Sequence, residues 1–222
     1  LCAIHQTFTA VTLGKFDGLH RGHQKLLNRI MKYAQKEDCD SVVCAFDMDR
    51  DCLMTNEERR AFLEDKVDYL IEIPFTREMM EMEAEKFIDE ILHKKLHASH
   101  IVVGTDFNFG HEKRGNHQML EKYAAKYGYT VDVVEKAYYK DREISSTYIR
   151  ELLLDGNVPL ANELLGYPYE ITSVVEHGQQ LGRTLGFPTM NLAPQEKKIL
   201  PKYGVYACRV LVDGVWYGGV GN

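Results

Sequence analysis

Gly14-Lys15-Phe16-Asp17-Gly18-Leu19-His20-Arg21-Gly22-His23 stands where one kind of periodicity ends and another begins. Before it, Ala10-Val11-Thr12-Leu13 is a short apolar run that reads as a buried strand. After it, Leu26, Leu27, Ile30 and Ala34 recur at helical spacing. The ten residues therefore form a strand-to-helix junction. There, backbone N–H groups and the positive end of the helix face the ligand crevice of an open α/β sheet. Gly14, Gly18 and Gly22 let the chain turn tightly and come close to a phosphate. His20 and His23 are three residues apart, so at the start of a helix they share a face and can donate hydrogen bonds to one anion. A nucleotide triphosphate needs such a donor set. The plainer alternative is a glycine-rich turn with two surface histidines; the flanking strand and helix favour the anion site.

Outward from this turn, strand and helix signals alternate. Val42-Val43-Cys44-Ala45-Phe46 is a second buried strand. Thr55 and Glu58 have capping-box spacing and open a helix reaching about residue 65. Tyr69-Leu70-Ile71-Glu72-Ile73 is a third strand, stopped by Pro74. Residues 83–95 read as one helix with Phe87, Ile88, Ile91 and Leu92 on its buried face. Met79, Met80 and Met82 read as packing filler. Ile101-Val102-Val103 is a fourth strand, residues 116–126 a helix closed by Gly128, and Thr130-Val131-Asp132-Val133-Val134 a fifth strand. A further helix spans about residues 146–154, with Gly156 after it. This alternation predicts an α/β Rossmann-like domain with a parallel, doubly wound sheet over residues 1–165.

From Gly166-Tyr167-Pro168 the character changes. Apolar runs shorten, glycine punctuates, and no helical period is convincing. A hairpin is predicted from the run 205–212, the turn Asp213-Gly214 and Val215-Trp216-Tyr217. Residues 166–222 are read as part of a β-barrel domain.

The 222 residues carry a net charge of -6, which gives no basic field for a nucleic-acid backbone. Hydrophobic content of 45% and charged content of 27% are ordinary for a globular protein. No apolar run approaches the roughly 20 residues of a membrane span, and residues 1–12 lack the basic and apolar regions of a signal peptide. Cys2, Cys39, Cys44, Cys52 and Cys208 include no C-x-x-C pair, which argues against a disulfide framework or zinc site and fits a reducing cytoplasm. Cys44, in an apolar run, reads as a core residue.

Three further constellations carry chemistry. Val103-Gly104-Thr105-Asp106-Phe107-Asn108-Phe109-Gly110 follows the fourth strand and so lies at the same sheet edge as His20. Phe107 and Phe109 are candidates to pack a flat ring, with Asp106 and Asn108 as its hydrogen-bonding partners; an ordinary glycine-bounded loop is an equal alternative. Ile144-Ser145-Ser146-Thr147-Tyr148-Ile149-Arg150 opens a helix. It offers either an anion nest with Arg150 forking onto a phosphate, or a plain Ser/Thr cap, the commoner use of such residues. Gly182-Arg183-Thr184-Leu185-Gly186-Phe187-Pro188-Thr189-Met190-Asn191 lies in the β region. Thr189 and Asn191, two apart, point the same way in an extended strand and could help hold Mg²⁺ through oxygen; a bulged edge strand is the alternative.

The set G-x-F-D-G-x-H-x-G-H, V-G-x-D-F-x-F-G, I-S-S-T-x-I-R and G-R-x-x-G-F-P-T-x-N, in that order, resembles the bacterial bifunctional riboflavin kinase/FAD synthetase family over nearly the whole chain. The resemblance implies an N-terminal nucleotidyltransferase domain that moves AMP from ATP to FMN, giving FAD and pyrophosphate. It also implies a C-terminal β-barrel that phosphorylates riboflavin to FMN, with Mg²⁺ as cofactor. By this resemblance His20, His23 and Arg150 are the catalytic set. Gly14, Phe16, Asp17, Gly22, Asp106, Ser146 and Thr147 bind ATP. Asp47, Phe107, Asn108, Phe109, Gly182, Arg183, Gly186 and Phe187 are implied flavin contacts, and Thr189 and Asn191 metal-site residues. The implied partners are flavin and nucleotide substrates, with neither nucleic acid nor membrane.

The chain departs from the family pattern in places. The family carries F-D-P-H-P after the second strand, whereas Phe46-Asp47 is followed here by Met48-Asp49-Arg50-Asp51. Lys15 stands where the family commonly has asparagine, and Met190 where it has alanine. The family's kinase glutamate would lie beyond Asn222, so the kinase half is expected to be incomplete in this sequence. Two other functions are compatible with the motifs: a flavin or nucleotide sensor without turnover, and a nucleotidyltransferase for another phosphorylated substrate.

Overall fold

Five strands assemble one parallel sheet, and their order places the predicted turn at its centre. In this computed structural model, residues 8–47, 50–179, 181–184, 186 and 189–222 are described. Strands β1 (Phe8–Gly14), β2 (Cys39–Asp47), β3 (Tyr69–Pro74), β4 (Ala98–Gly104) and β5 (Thr130–Val134) lie in the order β3-β2-β1-β4-β5. Every neighbouring pair is parallel. Val11 of β1 pairs with Val42 of β2 on one side and Ile101 of β4 on the other. The strand order reverses direction between β1 and β4. Open α/β sheets bind ligands at such a switch point, outside the strands' carboxyl ends.

The alternation of side chains along each strand divides the core in two. Val11, Leu13, Val42, Cys44, Ile101 and Val103 face one layer; Ala10, Val43, Ala45 and Val102 face the other. Helix α1 (Arg21–Lys36) and helix α2 (Asn56–Leu63) cover the second face through Leu27, Ile30 and Leu63. The predicted capping box at the start of α2 is present, with Thr55 and Glu58 bonded reciprocally. The first face is covered from the segment between β3 and β4, and by the helix that carries Leu120. Cys44 is fully buried, as read from the sequence. Of the three methionines, Met79 and Met82 pack against the core, while Met80 is exposed.

The expected helix over 83–95 is two kinds of helix. A short α3 (Ala84–Lys86) runs on into a π-helical stretch, Phe87–Lys95, closed by the Leu96 N–H donating to the Ile91 carbonyl. All four apolar residues read from the sequence, Phe87, Ile88, Ile91 and Leu92, are buried. The wider turn aligns residues four and five apart, which is how this pattern reaches the sheet with a single face. Helix α4 (His117–Tyr127) starts at the Asn116 cap and closes at Gly128, whose φ of 74° is left-handed.

Past β5, α5 (Ser146–Asp155) is followed by α6 (Val158–Leu165), an element the sequence reading missed. Its markers were there: the Asn157 side chain accepts the Leu160 N–H, Pro159 is in the first turn, and Gly166 closes the helix with φ 83°. With Leu53 and Ile199, the two helices form a third cluster around Ile149, Leu153, Leu164 and Leu165.

Among the described residues after 166 the strands form antiparallel pairs, Lys198 makes a parallel bridge to Cys52, and Leu181–Thr184 forms a four-residue helix where no helix was expected. Val175–Glu176 pairs with Asn191–Leu192. The predicted hairpin is formed by β6 (Tyr206–Val212) and β7 (Val215–Gly221). Asp213 (φ 48°) and Gly214 (φ 79°) are both left-handed, as a tight two-residue turn matched to strand twist requires.

Candidate active site

The turn after β1 is strained, and many independent contacts hold it. Phe16 (φ 48°), Gly18 (φ 80°) and Leu19 (φ 36°) all occupy the left-handed region within four residues. Phe16 and Leu19 are fully buried, so core packing fixes conformations that their side chains would otherwise avoid. A Cβ on Gly18 would stand 2.9 Å from Leu53 Cδ1. The Gly18 carbonyl accepts from the Tyr167 hydroxyl at 2.6 Å. The Leu19 carbonyl accepts from the Gln24 amide, which also donates to the Leu165 carbonyl.

Asp17 ties this turn to its neighbours. Its Oδ1 accepts the Leu53 and Met54 N–H groups at 2.7 and 3.3 Å, and its Oδ2 pairs with Arg150 at 3.1 Å. Burial pushes its pKa above the usual carboxylate range, while the two N–H donors and Arg150 pull against that shift. The Ser146 hydroxyl donates to the Asp17 carbonyl at 2.7 Å.

Above this base, His20 caps α1 and its Nδ1 accepts the His23 N–H at 3.4 Å. That contact leaves Nε2 as the protonated nitrogen of a neutral ring. The two imidazoles stack with centroids 3.8 Å apart, and His23 tilts against Phe16 at 5.2 Å. A Cβ on Gly22 would sit 3.1 Å from the His20 ring, so a larger residue would crowd the imidazole. Burial lowers the His20 pKa to about 4; burial and then the neighbouring His20 hold His23 well below the ordinary histidine value. Both rings are neutral at pH 7 and act as hydrogen-bond donors rather than cations. His23 Nδ1 is buried with no hydrogen-bond partner among the described residues.

Beside the turn, along the carboxyl ends of β1, β2 and β3, opens a cleft of about 530 Å³. Phe46, Asp47, Phe75, Thr76, Arg50 and Arg59 line it, and so does Lys15 of the turn. Its floor is a polar network. The Asn56 amide donates to Asp47, Arg59 donates to Asn56 and to Glu72 at 2.7 Å, and Arg60 also pairs with Glu72. Arg59 is almost fully buried, and its Nε has no partner among the described residues. Gln195 and Lys197 close the cleft from the C-terminal part of the chain. They are held there by Lys198, whose ammonium donates to the Leu53 carbonyl at 2.8 Å and pairs with Glu58 at 2.6 Å.

The structure brings together Gly14, Phe16, Asp17, His20, Gly22, His23, Ser146 and Arg150 around one turn. It changes the expected part of several residues. Arg150 is committed to Asp17 and the Asp51 carbonyl, so it braces the turn rather than reaching over the helix end. Ser146 likewise serves the Asp17 carbonyl, while Thr147 stays exposed. Phe109, expected to face a ligand, is a core residue packed on Phe87 at 5.4 Å and over Gly115. Phe107 stacks on it, Asn108 turns back to the Asp106 carbonyl, and none of the three lines the cleft. Asp106, at the end of β4, is exposed and paired with Lys136 at 2.9 Å. Asp47 does line the cleft.

In the β region, Gly182, Gly186, Thr189 and Asn191 are described, and Thr189 and Asn191 are exposed. Phe187, the Arg183 side chain, Cys2 and the Met48-Asp49 step lie outside the described residues. The sequence reading assigned no part to Lys15, Arg50, Arg59, Phe75, Thr76, Gln195 or Lys197. These residues are scattered along the chain and carry no shared spacing. Only the fold brings them to one cleft.

Among protein-family models, residues 3–148 match FAD synthetase and residues 165–222 match riboflavin kinase. The chain is 36% identical over 214 residues to a bifunctional riboflavin kinase/FMN adenylyltransferase of Buchnera aphidicola (subsp. Schizaphis graminum), covering 91% of this chain and 68% of that protein. It is 35% identical to the Escherichia coli K12 protein of the same name, covering 90% and 67%. The Haemophilus influenzae protein of that name is 36% identical, covering 96% and 73%. A crystal structure from Streptococcus pneumoniae, of a protein named a macrolide-efflux protein, superposes with a TM-score of 0.88 at 31% identity, over 99% of this chain and 75% of that one. No helix among the described residues is long and apolar enough to cross a membrane.

Proposed function

The chain belongs to the bifunctional riboflavin kinase/FMN adenylyltransferase family, and from that premise we propose which of its residues do the work. It is an enzyme of FAD biosynthesis, acting from riboflavin by way of FMN, with ATP as co-substrate. We assign residues 1–165 to the adenylyl transfer and residues 166–222 to the kinase domain. The observation that carries the first assignment is the cleft of about 530 Å³ opening beside a strained turn with two neutral histidines, His20 buried and His23 partly buried.

In this reading the flavin ring enters the cleft against Phe46 and Phe75, which pack edge to face with centroids 6.0 Å apart, and the ATP phosphates lie on the His20–His23 turn at the start of α1. The adenosine takes the β4 edge near Asp106. An oxygen of the FMN phosphate attacks the α-phosphorus of ATP, a new O–P bond forms, and the bond to the β-phosphate oxygen breaks. Pyrophosphate leaves with the electron pair. The second pKa of a phosphoester is about 6, so the attacking group is already largely dianionic at neutral pH and needs no general base. What the protein supplies is alignment and charge stabilisation on the leaving pyrophosphate. His20 Nε2–H and His23 provide hydrogen bonds from a site that is dry and fixed before substrate arrives. Asp17, Arg150 and Ser146 are positioning residues that hold the turn in its left-handed form.

Among the described residues no three His, Cys, Asp or Glu side chains stand together as a metal cage. The exposed hydroxyl of Thr189 and amide of Asn191 are oxygen donors of the kind Mg²⁺ takes while keeping waters and phosphate ligands. Mg²⁺ bound with the nucleotide would screen phosphate charge in both halves. Gly182 and Gly186 would let backbone approach substrate in the kinase half. The cytoplasm is the proposed compartment, and flavins and nucleotides the proposed partners.

The test is FAD and pyrophosphate formation from FMN, ATP and Mg²⁺ by the parent and by His23→Ala. The parent is expected to form both products, and the variant to lose roughly 100-fold or more in kcat, as when a preorganised donor is removed. Flavin bound by the parent with no product would replace this reading with that of a sensor.

A further inference from the structure

Lys15 is a cation without a partner among the described residues, at the place where the two substrates of the proposed reaction meet. It follows Gly14 at the end of β1, two residues before Asp17 and five before His20. Its side chain is exposed and lines the cleft. Among the described residues it makes no ion pair or hydrogen bond. The acid whose field reaches it is Asp17, and that carboxylate is already held by the Leu53 and Met54 N–H groups and by Arg150. Two more cations stand near enough to act on it, Arg50 in the cleft and Lys113 beyond it, and neither has an ion pair among the described residues. Burial and these two like charges lower the Lys15 pKa. Lys15, Arg50 and Lys113 repel one another, and an anion placed beside Lys15 and Arg50 in the cleft would relieve that repulsion.

The reaction supplies such an anion. A phosphate dianion must approach a polyphosphate, and the two repel at contact distance unless a cation lies between them. Lys15 lines the cleft and belongs to the same turn as His20, five residues before it. We propose that Lys15, assisted by Arg50, reads the phosphate of the flavin substrate: it neutralises the attacking phosphate and so selects phosphorylated flavin over riboflavin. This rests on the reading of the cleft as the flavin site. Ring packing by Phe46 and Phe75 treats the two flavins alike, and only a contact to phosphate separates them. Lysine suits the task as a compact charge on a flexible stem.

The experiment uses the full chain with Lys15→Met, which keeps the stem and removes the charge, and Lys15→Arg, which keeps the charge. Four quantities are read in the FAD-forming reaction: KM for FMN, KM for ATP, kcat, and Ki for riboflavin as a competitor of FMN. For Lys15→Met, KM for FMN is expected to rise by about ten-fold, the usual loss for one charge-assisted contact. Ki for riboflavin and KM for ATP stay unchanged, and Lys15→Arg recovers most of the loss. An unchanged KM for FMN overturns the proposal. So does a parallel rise in KM for FMN and Ki for riboflavin, which would mean damaged ring packing. A rise in KM for ATP alone also overturns it, placing Lys15 on the nucleotide. If the parent forms no FAD, the functional reading has failed, not yet the Lys15 proposal. Equilibrium titration of parent and Lys15→Met with FMN and with riboflavin, followed by flavin fluorescence, then decides it. A loss confined to FMN supports the proposal, and equal affinities in parent and variant overturn it.

Discussion

His20 and His23 make a site and a liability out of the same burial. An imidazole shut away from water and stacked on another resists protonation, and the His20 pKa falls to about 4 from its ordinary 6.5. In the unfolded chain the ring regains that ordinary value. Between pH 6.5 and 4 the unfolded state therefore binds the extra proton and the folded state does not. Stability contributed by the neutral ring is complete above about pH 6.5 and is lost as pH falls toward 4. By linkage the loss is about 3 kcal/mol for His20, an order-of-magnitude figure. Urea denaturation at pH 7 and at pH 4.5 should show it as a falling midpoint, and His20→Gln should flatten that slope. A slope unchanged in the variant would assign the acid sensitivity to other groups. The histidines were legible in the sequence because their spacing falls across a strand-to-helix junction. Their neutrality was not, because burial is a property of the fold.

At the scale of elements, the left-handed run through Phe16, Gly18 and Leu19 is what sets α1 against the end of β1. Gly18→Ala puts a Cβ in a disfavoured backbone region and against Leu53 Cδ1 at 2.9 Å. It is expected to cost roughly 1–3 kcal/mol in chemical denaturation and to lower FAD formation through displacement of His20. Full activity at unchanged stability would show that the turn tolerates the relaxed conformation. Most elements could be read locally, since short continuous apolar runs, the capping box at Thr55 and Glu58, and the Gly128 and Gly156 closures are signals a few residues long. The π-helical stretch could not, because i,i+1,i+4,i+5 burial of Phe87, Ile88, Ile91 and Leu92 looks like an ordinary helix until the sheet beneath it is known. Helix α6 went unassigned although its Asn157 cap and its closing Gly166 are present, because eight residues give only about two turns of apolar periodicity.

For the molecule as a whole, the C-terminal part of the chain helps build the cleft of the N-terminal part. Cys52 and Ile199 exchange backbone bonds with residues 197 and 52, Gln195 donates to Glu57, and Lys198 enters a buried pair with Glu58. Glu58 at the same time caps α2 and accepts the Thr172 N–H. One carboxylate thus joins the helix beside the cleft to the start of the β region. Lys198→Met strands that carboxylate in a buried setting and is expected to cost about 3 kcal/mol. FMN should raise the melting temperature of the parent more than that of the variant, because Gln195 and Lys197 are no longer held in place. Equal ligand-induced shifts would show that the cleft binds without its C-terminal wall. Elsewhere the β region is open. Leu211, Val215, Trp216, Tyr217 and Val220 of the hairpin are exposed, and the Arg209 guanidinium lies over Trp216 at 4.6 Å.

The sequence alone determined the alternation that makes a doubly wound sheet, the junction that carries the histidines and the order of four motifs that resembles one family. Each depends on residues close together in the chain, where periodicity, caps and glycine turns act. Tertiary structure decided which of those residues face a ligand. It turned Phe109 inward, gave Arg150 to Asp17, and gathered Lys15, Arg50, Phe75 and Lys197 around one cleft. The physical reason is that a side chain's partners are set by strand order and crossover, which bring together groups separated by as many as 182 positions, from Lys15 to Lys197.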